Sequence, residues 1–360
     1  MFRYISVILT LFLLGCSVTG NANSDTKKIT NGATQVANVG ESPSWVIAVH
    51  GGSGVKSRNK MTADMEKEYR NVLTLALQKG GLILSKGGSG VDAVEAALIV
   101  LEDSPLFNAG RGGAIDQFGR VLHDAAIMQG SDRKAGAVAG SSRIKNPISA
   151  AKLVMEKTNN VLLSGEGADW FAIEQGLDIV NPLYFITEGR WRSTNKAYKR
   201  SKQNKQNNQA TFNQNSEDLF GTIGAVVLDS KGNLTAGTST GGRTHKKYGR
   251  IGDSPIIGAG TYASNDSCAV SATGHGEYFM RYTVARDICA RVEFKGESLK
   301  TSANTLVREV LYKVGGKGAI IAISPEGKVV FSMNGDGAYR GVFSSEISSK
   351  TAIYADQPLE

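Results

Sequence analysis

Two packed β-sheets with helices on their outer faces, a four-layer αββα sandwich of the α+β class, are what this 360-residue sequence predicts. Three observations carry the prediction. Strand-like runs come as antiparallel hairpins, Gly224–Leu228 with Leu234–Thr238 and Gly318–Ile323 with Val329–Met333. Helical segments come in pairs, which does not fit the regular alternation of a doubly wound sheet. The strand runs are almost continuously apolar, as in sheets covered on both faces.

The elements follow in order. Met1–Tyr4 is a weakly positive start, and Ile5–Leu14 is an apolar run too short to span a bilayer as a mature helix. Leu13-Leu14-Gly15-Cys16 ends it in the manner of a bacterial lipobox, so residues 1–16 read as a signal peptide with Cys16 the lipidated first residue of an exported, periplasm-facing protein. Ordinary signal cleavage a few residues later is the alternative. Residues 17–44 read as a polar tether without helical or strand period. A hydrolase domain in two parts follows, residues 45–191 and 222–360, separated by a flexible linker at 192–221.

Within the first part, Trp45–Val49 is a strand that runs into His50-Gly51-Gly52-Ser53-Gly54. That loop lacks the Gly-Lys-Ser/Thr ending of a phosphate loop. Helices are expected over Thr62–Ser85 and, capped by Ser89, over Val91–Glu102. A Gly-broken loop spans Phe107–Gly113, a strand Val121–Met128, and helices Pro147–Lys157 and Glu166–Gln175. In the second part a strand lies near Ala269–Ser271, with helices over Glu277–Val292 and Leu299–Lys313.

Composition narrows the function. The chain has 43 Gly, 7 Pro and an ordinary 41% apolar fraction. Its formal charge of +8 is concentrated at Arg192, Lys196, Lys199, Arg200, Lys202 and Lys205, among Asn and Gln, which suggests a solvated arm. No nucleic-acid motif accompanies it. The four histidines have no metal-ligand spacing. Cys268 and Cys289 are able to pair in an exported protein, although two buried thiols are the expected state.

The chemistry centres on Gly221-Thr222. A polar stretch ends abruptly there, and Thr222 opens the apolar run Ile223–Leu228. Cleavage before Thr222 would create an α-amine titrating at about 7.7–8.0, able to serve as base for the hydroxyl of the same residue. Taken alone, Thr222 reads more readily as a β-branched residue opening a strand. The downstream sequence decides, because Thr238-Ser239-Thr240-Gly241-Gly242, Gly249-Arg250-Ile251-Gly252-Asp253-Ser254-Pro255 and Thr273-Gly274-His275-Gly276-Glu277 follow in order. Arg250 and Asp253 present a cation and an anion in one Gly-bounded loop, as an α-amino acid head group requires. The Thr-Gly-His-Gly turn entering a helix aims N–H groups at developing negative charge.

With Ala48-Val49-His50-Gly51-Gly52 and Pro105–Gly110, these motifs resemble the plant-type asparaginase and isoaspartyl peptidase family of N-terminal-nucleophile hydrolases, over nearly all of Val46–Arg340. The resemblance implies a hydrolase of β-aspartyl dipeptides and L-asparagine that needs no cofactor for catalysis. Thr222 would be the nucleophile and Thr240 its positioning partner. Thr273 with the Gly274 N–H would form the oxyanion hole. Arg250, Asp253, Gly274, Gly276 and Asn108 would bind substrate or border the junction. Leu101, Glu102, Ser104, Phe107, Ala109 and Arg111 match a loop that holds a structural sodium ion through main-chain carbonyls. A homodimer of cleaved αβ units is implied, with no nucleic-acid partner and membrane contact through the lipid anchor alone. Two readings compete: a glycosylasparaginase, and a non-catalytic, lipid-anchored amino-acid-binding protein. His275, between two glycines where many relatives carry a small residue, marks an altered pocket rim.

Overall fold

A computed structural model of the chain describes residues 32–206 and 221–359, within one compact unit. The expected signal peptide, Cys16 and residues 207–220 of the expected linker lie outside the described residues. In chain order the elements are β1 (Ala33–Val36), β2 (Val46–Gly52), α1 (Ala63–Ser85), α2 (Gly90–Asp103), β3 (His123–Gln129), β4 (Ala135–Ser141), α3 (Pro147–Lys157), β5 (Leu162–Ser164), α4 (Gly165–Glu174) and α5 (Glu188–Gln206). After the junction come β6 (Ile223–Leu228), β7 (Leu234–Thr240), β8 (Thr261–Ser264), β9 (Cys268–Gly274), α6 (Gly276–Arg281), α7 (Val284–Lys295), α8 (Leu299–Asn304) with a π-helical continuation to Leu311, β10 (Gly318–Ile323), β11 (Val329–Met333), β12 (Gly337–Ser344) and β13 (Lys350–Tyr354).

The described strands form two sheets, β1-β11-β10-β9-β8 and β13-β12-β2-β6-β7-β3-β4-β5. Alternation along β2 and β6 builds the layers. Val46, Ala48 and Val226 share one core with Val270 and Ile321 of the other sheet and with Ile288 of α7. Ile47, Val49, Ala225 and Val227 face a second core with Leu73 of α1, Leu98 of α2 and Val154 of α3. Each sheet therefore has apolar cover on both faces, which explains the unbroken apolar runs in the sequence. The protein is an αββα sandwich, as the sequence predicts.

Local chemistry sets the helix ends. Thr62 and Ser89 accept the Met65 and Asp92 N–H groups at 3.2 and 3.1 Å. On the buried face of α1, a Cβ on Gly80 would lie 2.4 Å from Ile47 Cδ1 and one on Gly81 2.3 Å from Phe343 Cε1, so the two glycines let the helix sit close on the sheet.

Four expectations are corrected. The segment read as a tether without period holds β1, which pairs antiparallel with β11 from Ala33 opposite Met333 to Val36 opposite Val330. The stretch read as a flexible linker from residue 192 is helical as far as Gln206, because Lys, Arg, Gln and Ala favour helix wherever no Gly or Pro intervenes. The single helix expected over Glu277–Val292 is broken at Thr283, whose φ of 43° is left-handed, giving α6 and α7. Cys268 and Cys289 form a disulfide joining β9 to α7 and are not two thiols.

Candidate active site

The site forms where the ends of β2, β6, β7 and β9 meet. Antiparallel pairing of β6 with both β2 and β7 fixes Thr222 at the sheet's edge of the cleft. Thr222 is 6% exposed. Its Oγ1 lies 2.7 Å from the Gly221 carbonyl oxygen and 3.2 Å from Thr240 Oγ1. Thr240 Oγ1 donates to the same Gly221 oxygen at 3.1 Å and accepts from the Gly242 N–H at 3.0 Å. Asn108 Nδ2 also donates to it, at 2.8 Å. The carbonyl of the Gly221–Thr222 bond is therefore gripped from two sides, with the hydroxyl that would attack it next to it.

Asn108 is held in turn. Its Nδ2 also donates to Gly242 O at 2.6 Å, and its Oδ1 accepts from the Ala114 N–H at 2.7 Å. Behind the junction, β2 ends in Gly52 at φ +107°, where a Cβ would lie 3.0 Å from Gly221 Cα and 3.2 Å from Thr222 N. The His-Gly-Gly segment thus supplies close backbone approach to the scissile bond.

The opposite wall carries the residues expected to hold a head group. Arg250, Gly252, Asp253, Ser254 and Gly274 line one cleft with Gly221, Thr222 and Thr240. A Cβ on Gly276 would lie 2.7 Å from Asp253 Oδ1 and 2.8 Å from an Arg250 terminal nitrogen, so Gly276 packs directly against both. Burial pushes the Asp253 carboxyl up to about 7, against the pull of Arg250. Thr273, at the end of β9, accepts the Ser53 N–H on its Oγ1 at 3.4 Å, next to Gly274.

Around the junction the structure brings together Thr222, Thr240, Asn108, Arg250, Asp253 and Gly274, with Gly276 packed against Arg250 and Asp253, and two further residues join them. Glu277 takes Arg250 Nε and Nη2 in a bidentate pair, both at 3.0 Å. Burial opposes ionisation of Glu277, but the Arg250 hydrogen bonds outweigh it and hold its pKa below the usual range. Two of the five guanidinium N–H donors are committed to Glu277, and three remain for other acceptors. Arg243 is the second addition and also lines the cleft. His275 is buried, and burial followed by the nearby Arg243 charge lowers its pKa to about 4, so the ring is neutral.

The loop after α2 holds the residues matched by resemblance to a sodium-binding loop. Pro105 has no N–H to offer Leu101 O, and the Leu106 N–H turns to Ser104 Oγ at 3.3 Å. A Cβ on Gly110 would lie 2.2 Å from Glu102 O, and one on Gly112 2.0 Å from Phe107 O, so only glycine fits against these carbonyls. The described residues contain no His, Cys, Asp or Glu cluster able to hold a metal.

A family model described as asparaginase matches residues 43–353. The chain belongs to the asparaginase family. It is 42% identical over 312 residues to the isoaspartyl peptidase of Escherichia coli K12, spanning 87% of this chain and 97% of that protein. It is 40% identical over 326 residues to a probable isoaspartyl peptidase/L-asparaginase 2 of Arabidopsis thaliana, spanning 86% and 99% of the two chains. It is 39% identical over 282 residues to the Homo sapiens isoaspartyl peptidase/L-asparaginase, spanning 78% and 87%. For this asparaginase-family hydrolase, the match of residues 43–353 takes in both sheets except β1 and part of β13, and every site residue described above.

Proposed function

We infer that the protein cuts itself between Gly221 and Thr222 and then hydrolyses β-aspartyl dipeptides and L-asparagine with Thr222 as nucleophile. The observation that carries the reading is the Gly221 carbonyl held by Asn108 and Thr240 with Thr222 Oγ1 at 2.7 Å. Thr222 Oγ1 attacks the Gly221 carbonyl carbon and the peptide nitrogen leaves as the amine, giving an ester that water hydrolyses. Asn108 and Thr240 stabilise the oxyanion of that step. The released amine then accepts the hydroxyl proton when Thr222 attacks the substrate's β-carbonyl.

In turnover, Arg250, steadied by Glu277, receives the substrate α-carboxylate and Asp253 the α-ammonium. Thr273 and the Gly274 N–H stabilise the new oxyanion. The names of the relatives support β-aspartyl substrates over the glycosylasparaginase reading, and the assembled Thr222, Thr240 and Asn108 set supports catalysis over simple binding. A sodium ion, when bound by the carbonyls of Leu101, Glu102, Ser104, Phe107, Ala109 and Arg111, would supply rigidity to the loop that presents Asn108.

The test is kcat/KM of the cut protein on β-Asp-Leu, asparagine and glycosylated asparagine. Preference in that order is expected, and preference for the sugar conjugate refutes the substrate assignment. The reading extends to location and assembly. Leu13-Leu14-Gly15-Cys16 supports export, lipidation of Cys16 and a periplasm-facing membrane anchor. Mass analysis of the mature N-terminus tests it, and a soluble protein beginning beyond Gly20 contradicts it. A homodimer of cleaved αβ units is proposed by family resemblance, and native mass measurement tests it.

A further inference from the structure

The inner faces of the two sheets are layered beneath the nucleophile. Alternate residues of a strand share a face, so Thr222, Thr240 and Thr273 have Gly224, Thr238 and Ser271 about 7 Å deeper on the same faces. Gly224 lies opposite His50 in β2 on one side and Thr238 in β7 on the other. Two residues deeper again are Val226, Ala236 and Ala269, with Ala48 opposite Val226, and all four belong to the apolar core between the sheets. One polar layer therefore separates the reacting groups from that core.

The layer is bonded from sheet to sheet. His50 Nε2 and Thr238 Oγ1, on the larger sheet, meet Ser271 Oγ of the smaller sheet at 3.0 and 2.7 Å. Thr261 Oγ1, also on the smaller sheet, donates to Thr238 Oγ1 at 2.6 Å. All four side chains are buried. Burial drives the His50 pKa down to about 3, so the ring is neutral and bonds without bringing charge into the core. A Cβ on Gly224 would collide with both Ser271 Oγ and His50 Nε2, so glycine there makes room for the contact. Buried polar groups lose free energy when their partners move out of reach, so this layer fixes the spacing of the sheets more sharply than apolar packing does.

The two reactions divide across this layer. Thr222 and Thr240 are hydrogen-bonded neighbours on the larger sheet, and Asn108 is tied to Gly242, just after β7. The groups that would carry out self-cleavage are thus bonded among themselves. Turnover needs Thr222 on the larger sheet to face Thr273 and the Gly274 N–H on the smaller one. We propose that His50, Thr238 and Ser271 are positioning residues that set the distance between the nucleophile and the oxyanion hole, and so govern turnover but not self-cleavage. This rests on the hydrolase reading above and extends it to residues that do not line the cleft.

The experiment compares Ser271→Ala, Thr238→Val and Thr238→Ser in the full chain. The first two should cut themselves at the wild-type rate on denaturing gels. Their kcat on β-Asp-Leu should then fall by about tenfold to hundredfold with KM little changed, the scale of a small displacement at a reacting centre. Thr238→Ser keeps the hydroxyl and should retain most of kcat. Near-UV circular dichroism reports the fold, and Thr238→Val, close in shape to the native residue, carries the test if Ser271→Ala does not fold. The inference is overturned if folded Thr238→Val turns over at the wild-type kcat, if self-cleavage and turnover slow in equal proportion, or if KM alone rises. A self-cut wild type that does not hydrolyse β-Asp-Leu or asparagine defeats the underlying functional reading instead, and is distinguishable on that ground.

Discussion

Asn108→Ala is the sharpest test of the self-cleavage geometry. The substitution removes the Nδ2 donor that lies 2.8 Å from the Gly221 carbonyl oxygen. Loss of one donor to a developing oxyanion costs about 10²–10³ in rate, or about 2.7–4 kcal/mol. Thr240 Oγ1 still donates to that oxygen at 3.1 Å, so the lower end, roughly 10²-fold, is expected. Asn108 also serves the fold, because its removal unpairs the buried Gly242 carbonyl and the Ala114 N–H. Together these should cost roughly 2–4 kcal/mol of stability, within the usual total of about 5–15. Asn108→Asp keeps the acceptor for Ala114 but turns an acceptor towards two carbonyl oxygens, so it should cut no faster than the alanine variant. The assay follows the intact fraction on denaturing gels after a pulse of synthesis, with near-UV circular dichroism confirming a native fold. A folded Asn108→Ala protein that cuts at the wild-type rate would refute the reasoning.

Other outcomes follow from the same geometry. Thr222→Ala should stay full length and inactive, whereas Thr222→Ser should cut slowly and release a fragment beginning Ser-Ile-Gly-Ala-Val by mass analysis, because it keeps the hydroxyl but loses the methyl that restrains χ1. Arg250→Lys should raise KM for β-Asp-Leu by the equivalent of about 1.5–3 kcal/mol with self-cleavage intact, since a point charge replaces a fork that Glu277 aligns; unchanged kinetics would remove Arg250 from the site. Asp253 must be ionised to receive an ammonium group, and burial raises its pKa to about 7, so kcat/KM should fall as pH drops through about 7; a profile flat between pH 6 and 8 would contradict that role. Replacing both Cys268 and Cys289 by Ala removes a bridge across a 21-residue separation and should cost about 3 kcal/mol, read as a lower denaturation midpoint.

The sequence made some elements plain and hid others for physical reasons. The hairpins β6–β7 and β10–β11 stand out because their strands are buried on both faces and carry Val, Ile and Leu almost without interruption. β4 is nearly all Ala, Gly and Ser, and its small residues give no strand signal. They must be small, since a Cβ on Gly136 would lie 2.1 Å from Ala151 O of α3. β12 was equally opaque, with Arg340 fully buried at its centre and its Nη2 donating to the carbonyls of Tyr354 and Gln357. In the site, the motif residues were legible because each short motif occupies one strand end. The Arg250–Glu277 pair, the double donation by Asn108 and the approach of Gly52 to Thr222 were not, because each joins segments that are separate in the sequence and meet only in the fold.

The strand order has a consequence for the life of the enzyme after the cut. In the larger sheet β2, from before the junction, lies between β12 and β6 from after it, and β3 pairs with β7. The smaller sheet is stitched in the same way, β1 onto β11. Once the chain is severed, its two pieces are interleaved like the fingers of folded hands, and neither has a complete sheet of its own. In the cut protein, assembly would no longer have a continuous chain to guide it. Refolding from denaturant should therefore become a two-body search, dependent on concentration and open to aggregation, whereas the Thr222→Ala precursor keeps the one-body route. The mature enzyme's durability would then be set by how slowly it first comes apart.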